Sequence, residues 1–183
     1  MLGAVTDGAD GGSGRQGPVE AAGRWIQAVM DDRDWEAAWS LTDDVLRLAH
    51  VQAWLWANRM EPELAGEDLD ELARALFEEG PADPLWDDFA LAALATYDAT
   101  WQEFDLHRWS VAGDPRLVGP DLEVVYFVRE AENPILVTEP ALVVARPFLM
   151  RFTQSGWLVA HAGSNHLPVP GWPPEFPSAT FEE

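Results

Sequence analysis

Two residue types are missing altogether: the chain has no cysteine and no lysine. Without cysteine there is no disulfide, no thiol nucleophile and no thiolate metal site. Without lysine there is no phosphate-cradling P-loop and no Schiff-base chemistry. Basic residues are scarce in general. Eleven arginines face 32 acidic residues, for a formal net charge of −21. Nucleic acid and anionic lipid both need a cationic footprint, so neither is expected as a partner. The excess acid reads as a solubilising surface that leaves room for a basic protein partner or a neutral ligand. Long apolar runs are lacking too, and none would span a bilayer. The opening MLGAVTDGADGG has neither the basic start nor the apolar centre of a secretory signal. The expectation is a cytoplasmic protein with no membrane segment.

Metal-binding patterns are also missing. His50, His107, His161 and His166 are far apart or five residues apart, and there is no HExxH. The pairs Asp31-Asp32, Asp43-Asp44 and Asp87-Asp88 lack the alternating ligands and glycine of a calcium loop. Neither a metal nor a cofactor is expected. Gly12-Ser13-Gly14 lies in a Gly-rich tail and is no nucleophile elbow.

Apolar side chains, by contrast, are plentiful. They make up 48% of the 183 residues, and ten of the aromatics are tryptophan, enough for one domain with a sizeable core. Residues 1–17 have almost nothing to bury and are expected to be disordered. A single α+β domain is expected over 18–165, followed by a Pro-rich tail over 166–183. Pro18 suits the first turn of a helix, in which Val19, Ala22, Ile26 and Val29 recur at helical spacing. Asp34 caps a short helix holding Trp35, Ala38 and Trp39. Thr42 is expected to cap the next helix, 43–59, which is apolar nearly all round. Its one polar stripe is Arg47, His50, Trp54 and Asn58. A further helix carries Leu69, Leu72, Ala73, Leu76 and Phe77 and stops at Gly80. Asp83-Pro84 opens the last helix, expected to reach about residue 103, with Trp86, Phe89, Ala93, Tyr97 and Trp101 on its stripe.

The remainder reads as antiparallel strands. Asp105 to Ala112 alternates, and Gly113-Asp114-Pro115 turns the chain. Leu122 to Val128 has the two-residue period of a pleated strand. Ile135 to Thr138 is a short strand or a loop edge. Ala141 to Thr153 is a long strand with Pro147 inside it, where a bulge or an edge position is expected. Gln154-Ser155-Gly156 turns into a return strand, Trp157 to Ala162. These strands are apolar on both faces, so the second face calls for a cover: the Pro-rich tail or a second copy of the chain. A homodimer is expected on this ground. In the tail, Leu167, Val169, Trp172 and Phe176 are the candidate anchors across the sheet.

Two stretches carry a family resemblance. AVMDDRDWEAAWSLTDDVLR, residues 28–47, resembles the first helix, acidic break and second helix of NTF2-like (SnoaL-like) proteins. RFTQSGWLVAHAGS, residues 151–164, resembles that family's last hairpin, with Gly156, Trp157 and His161 at the matching positions. Two further helices over about 68–103 depart from the pattern. The resemblance implies helices packed on a curled antiparallel sheet, a pocket inside the cone and frequent dimers through the sheet. It implies no particular reaction.

No stretch carries a catalytic signature. The candidate ligand-binding residues are Tyr126, Arg146, His161 and Trp54. Tyr126 is a core aromatic or a hydroxyl donor on the more apolar strand face. Arg146 shares its face with Leu142, Val144 and Phe148, and a buried guanidinium requires a partner, for which Asp105 and Glu123 are candidates. His161 is a polar cap at a strand end or a pocket base. Trp54 is a pocket rim residue or part of a partner-binding patch. Two functions follow: a small apolar molecule bound or transformed in the pocket, or an acidic protein–protein interaction module without catalysis.

Overall fold

The computed structural model describes residues 17–101, 109–129 and 145–180. The tail before residue 17, His107, the candidate partner Asp105, the start of the first expected strand and the segment Ile135 to Thr138 lie outside the described residues. The architecture is α+β, with the helices preceding a curled antiparallel sheet in the chain.

The helices begin where short acidic side chains can hold free backbone N–H groups. Helix α1 (Pro18–Ile26) opens on its proline and buries Ala21, Ala22, Trp25 and Ile26. A π turn, Gln27–Asp31, continues the same face with Ala28 and Val29. Helix α2 (Trp35–Ser40) is capped by Asp34, whose carboxylate accepts the Ala37 N–H at 2.9 Å. Helix α4 (Leu69–Glu79) is capped by Asp68 and ends at Gly80, which has a φ of 52°. A β-carbon at Gly80 would meet the Trp39 indole nitrogen only at an ordinary contact of 3.4 Å, so it is the positive φ that favours glycine there. Helix α5 (Trp86–Thr100) follows Asp83, which accepts the Leu85 N–H at 2.7 Å. It starts two residues beyond Pro84.

Helix α3 (Asp44–Asn58) corrects one expectation, since its cap is Asp43 and not Thr42. The Thr42 hydroxyl is already engaged: it accepts the Trp25 indole N–H at 2.9 Å and donates to the Ala38 carbonyl at 2.7 Å. Thr42 is extended instead, running parallel to Val159 of the sheet edge. The Asp43 N–H donates to the Val159 carbonyl and the Val159 N–H to Leu41, each at 2.8 Å. The α2–α3 connection is thereby stitched to the sheet.

The strands are β1 (Trp109–Val111), β2 (Arg116–Leu117), β3 (Leu122–Arg129), β4 (Ala145–Thr153) and β5 (Gly156–Ala162), in the order β1-β3-β4-β5, with β2 also on β3. The inner face carries Val125, Phe127, Phe148, Met150 and Val159 against the helices. The outer face carries Val124, Leu149 and Ala160, with Leu122 and Tyr126 beside them. The bulge expected at Pro147 lies elsewhere. Pairing with β3 runs unbroken through Tyr126↔Pro147, while the β4–β5 register shifts between Leu149 and Met150. Pro147 is harmless because its carbonyl already points to the β5 side, where it accepts from Gly163 beyond the last pair. Its missing N–H points the same way, so the β3–β4 ladder is intact and only the return bond to Gly163, past the end of the β4–β5 ladder, is forgone.

The chain's own tail reaches the outer face, where Leu167 packs on the Val124, Leu149 and Ala160 cluster. The other candidate anchors do not follow it across the sheet. Val169 is largely exposed, Trp172 packs toward the helices and donates to Asp70 at 2.8 Å, and Phe176 lies against His50. Among the described residues no helix is long and apolar enough to cross a membrane.

A charged cluster fixes the start of α3 on the sheet. The Arg151 Nε lies 3.7 Å from Asp43 and 3.6 Å from Asp121. Burial pushes the Asp43 carboxyl above its usual range, and the Arg151 charge pulls it back. Arg151→Met leaves that carboxylate without its countercharge and is expected to destabilise the fold by about 2 kcal/mol. Adding Asp43→Asn should recover part of the loss, as read from urea midpoints. Strictly additive single and double variants would show that the two groups do not interact.

Candidate ligand pocket

Helices α3 and α5 leave a gap because small residues recur every fourth position where they face each other. Ala53 and Ala57 supply one side, and Ala92, Thr96 and Thr100 the other. Large rings close the ends: Trp54, Phe89 and Trp101 from the helical layer, and Phe176 from the tail. The result is a cavity of about 440 Å³, within the ordinary range of small-molecule sites. No charged residue is present among the described residues that line it.

Besides Thr96, Thr100 and Asn58, which donate to carbonyls of their own helices, its polar side chains are two histidines and a tyrosine. His50 Nε2 lies 2.9 Å from the Tyr97 hydroxyl. Burial, and then the neighbouring His161, push His50 down to about 3. Burial also pushes the Tyr97 hydroxyl above its ordinary value. Burial lowers His161 as well, against the opposing pull of its bond to the backbone of His166. Both imidazoles and the phenol are therefore neutral at neutral pH. His161 Nδ1 lies 2.6 Å from the His166 carbonyl, which fixes the ring. The β4–β5 register shift sets Leu149 opposite His161 and Met150 opposite Val159, so Ala160 is the extra residue. A bulge re-aims the side chains beyond it, and His161 and Ala162 both line the cavity.

The tail builds the fourth wall. Gly171 donates to the buried Gln52 side chain at 2.8 Å, Val169 and Glu175 exchange two backbone bonds of 2.9 Å, and Asn165 and Thr180 bond each other twice. Phe176 is held with its ring 5.5 Å from that of His50 and 5.9 Å from that of His161. No family model, no curated protein and no solved structure matches the chain.

The four candidate residues from the sequence divide. Trp54 and His161 line this cavity. Trp54 stacks edge-on to Phe89 at 6.0 Å, and its carbonyl accepts from Asn58. Arg146 lies just beyond the wall. Its guanidinium sits 5.4 Å over the Trp101 ring and donates to the Thr100 carbonyl at 3.2 Å. Glu123 is not its partner, since Glu123 pairs with Met150, four residues along the strand from Arg146. Tyr126 is away from the cavity altogether. It lies on the outer face, lining a separate cavity with Leu149 and Leu167. The helices cover the Val125 and Phe127 face of β3, so the face with more apolar residues by count is the outer one.

The polar stripe of α3 also turns inward rather than toward a partner. Arg47 stacks 5.3 Å from the Trp39 ring, His50 bonds Tyr97, and Asn58 folds onto its own helix. Residue-by-residue reading missed His50, Tyr97 and Phe176 as site residues. The signal for the first two was present: small residues every fourth position on two helices, each helix with one hydrogen-bonding ring beside them. Among the described residues no group of three His, Asp or Glu side chains is placed to hold a metal ion.

Proposed function

We propose that this chain binds a small, neutral, largely apolar molecule in the cavity between α3, α5 and the end of β5. The observation that carries the reading is the lining: aromatic and alanine walls with a neutral His50–Tyr97 pair and a neutral His161 at one end. An ion entering from water would lose its hydration there without a countercharge among the described lining residues. The NTF2-like resemblance belongs to the same proposal. Helices followed by a curled antiparallel sheet, with a cavity between them, are in keeping with it.

The test uses a neutral fluorescent probe, N-phenyl-1-naphthylamine, and a cavity-filling variant. Saturable fluorescence enhancement is expected in the wild type. Ala53→Trp should abolish it while the urea midpoint stays within about 1 kcal/mol of the wild type, because Ala53 borders open space. Equal probe binding by a folded Ala53→Trp protein would remove this cavity from the argument. The acidic interaction-module reading rests on net charge and on a Trp54 that is half-buried at the cavity edge. Its mark would be complex formation weakened by salt. The homodimer is a proposal resting on the sheet's two apolar faces. Leu167 of the same chain already covers part of the outer one. Native mass spectrometry reads both the oligomeric state and any retained small molecule.

A further inference from the structure

The hydrogen-bonding state of the two cavity histidines can be worked out from their partners. A carbonyl oxygen only accepts, so the 2.6 Å contact between His161 Nδ1 and the His166 carbonyl places the proton on Nδ1. A neutral imidazole carries one N–H. The Nε2 of His161 is therefore a bare acceptor. It has no partner among the described residues, in a side chain that is only 6% exposed and lines the cavity.

The His50–Tyr97 pair has the opposite surplus. The 2.9 Å contact uses one hydrogen. If Tyr97 donates, neutral His50 keeps an N–H on Nδ1. If His50 donates, Tyr97 keeps its O–H. Either way the pair has one donor to spare. Both histidine rings lie against Phe176, so acceptor and donor share one end of the cavity. The rest of the wall is carbon from Ala53, Trp54, Ala57, Phe89 and Trp101, together with Thr96, Thr100 and Asn58, whose hydroxyl and amide groups donate to carbonyls of their own helices.

A sheltered polar group left unmatched by a ligand costs about 1–3 kcal/mol. A hydrocarbon matches neither group. An ether or a ketone accepts from the donor and leaves His161 facing carbon. A hydroxyl does both, donating through its hydrogen and accepting on its oxygen. We infer that the natural ligand of this cavity is a neutral alcohol or phenol with an apolar body, its hydroxyl donating to His161 Nε2 and turned toward the His50–Tyr97 pair. This rests on the pocket reading above and adds the chemical class.

The probes are 2-naphthol, 2-methoxynaphthalene and naphthalene, titrated against the full chain by equilibrium dialysis. The expected result is that 2-naphthol binds about tenfold more tightly than either of the others, the equivalent of one added hydrogen bond. His161→Phe should erase that preference, read as the ratio of 2-naphthol to naphthalene affinity within the same variant. Equal binding of all three by the wild type would overturn the hydroxyl assignment and leave the pocket standing. A preference for 2-naphthol that survives in His161→Phe would overturn the role of His161. Binding of none of the three would sink the hydroxyl assignment and the pocket reading together. Should His161→Phe not fold, ring-¹⁵N spectra of the wild type decide. The Nε2 resonance of His161 should move upfield with 2-naphthol and stay fixed with naphthalene, and an unmoved resonance with 2-naphthol overturns the assignment.

Discussion

Trp25→Ala is expected to remove about 3–5 kcal/mol of stability, the usual range for deleting a buried large aromatic. That is a large part of what a domain of this size has in total. The reason is position. Trp25 is fully buried, and its ring meets Tyr97 of α5 edge-on at 5.0 Å, and Trp101 and Phe148 of β4 at 6.0 Å each. Its indole N–H donates to Thr42, the residue bridged to the sheet edge. One side chain thus joins α1, α5, the sheet and the α2–α3 connection, and no neighbouring ring can fill its volume without leaving its own contacts. Thr42→Val separates the polar part of this effect from the packing part. It leaves the indole N–H without its acceptor and should cost about 1–3 kcal/mol. Trp25→Phe combined with Thr42→Val should cost less than the sum of the two single changes, because removing both partners leaves neither unsatisfied. Guanidinium unfolding midpoints of the wild type, Trp25→Ala, Trp25→Phe, Thr42→Val and the double variant give these values. A Trp25→Ala protein within 1 kcal/mol of the wild type would show that the core is not organised around this ring.

The helical half was legible because its signals are local. Asp34 stands where a short acidic cap is needed, and Gly80 where a backbone of positive φ is. Asp83 reads as the cap of the last helix with Pro84 its first residue, but it holds the Leu85 N–H just ahead of α5, whose N-cap is Leu85. Thr42, also misread as a cap, has the right side chain for the role. Its hydroxyl was claimed by Trp25, 17 residues earlier, and no local pattern reports that. The strands were legible in period but not in facing. Alternation divides β3 into two sets, Leu122, Val124, Tyr126 and Glu123, Val125, Phe127, and both contain apolar residues. Which set meets the helices depends on packing remote in sequence, and Tyr126 belongs to the set on the outer face.

The site was harder to see for a related reason. His161 and Trp54 were singled out as polar or aromatic oddities on otherwise apolar elements, and both line the cavity. His50 was visible as part of a polar stripe, and Tyr97 as part of an apolar one. The two meet across 47 residues. The bulge that turns β5 was sought at Pro147, where a proline signals its own exception, yet it occurs at Ala160, which carries no such mark. The tail of five prolines reads as a strap anchored across the sheet by residues that include Phe176. Its role in walling the pocket with Phe176 depends on bonds to Gln52 and Asp70 on two different helices.

The same neutral histidines that suit the cavity to an uncharged ligand should make the fold sensitive to acid. His50 is held neutral in the folded chain down to about pH 3, whereas in the unfolded chain it takes up a proton near its ordinary value of 6.5. Below pH 6.5 the unfolded state therefore binds more protons, and stability falls as the pH falls. The contribution is fully present above pH 6.5, falls steadily below it, and is spent once the pH passes about 3. Over the whole window the loss is about 5 kcal/mol, of which about 2 kcal/mol falls by pH 5.0. His161, also lowered by burial, acts in the same direction. Asp43 acts against both: its raised carboxyl binds a proton more readily in the folded state, so it adds stability as the pH falls. The wild-type slope alone is thus a sum of opposing groups, and the variant His50→Gln isolates one of them. Glutamine does not titrate and can still bond the Tyr97 hydroxyl. Between pH 7.5 and pH 5.0 the wild type should lose about 2 kcal/mol more than His50→Gln in urea unfolding. Equal losses would mean that His50 is already exposed enough to protonate in the folded chain, and with that the neutral end of the cavity would go.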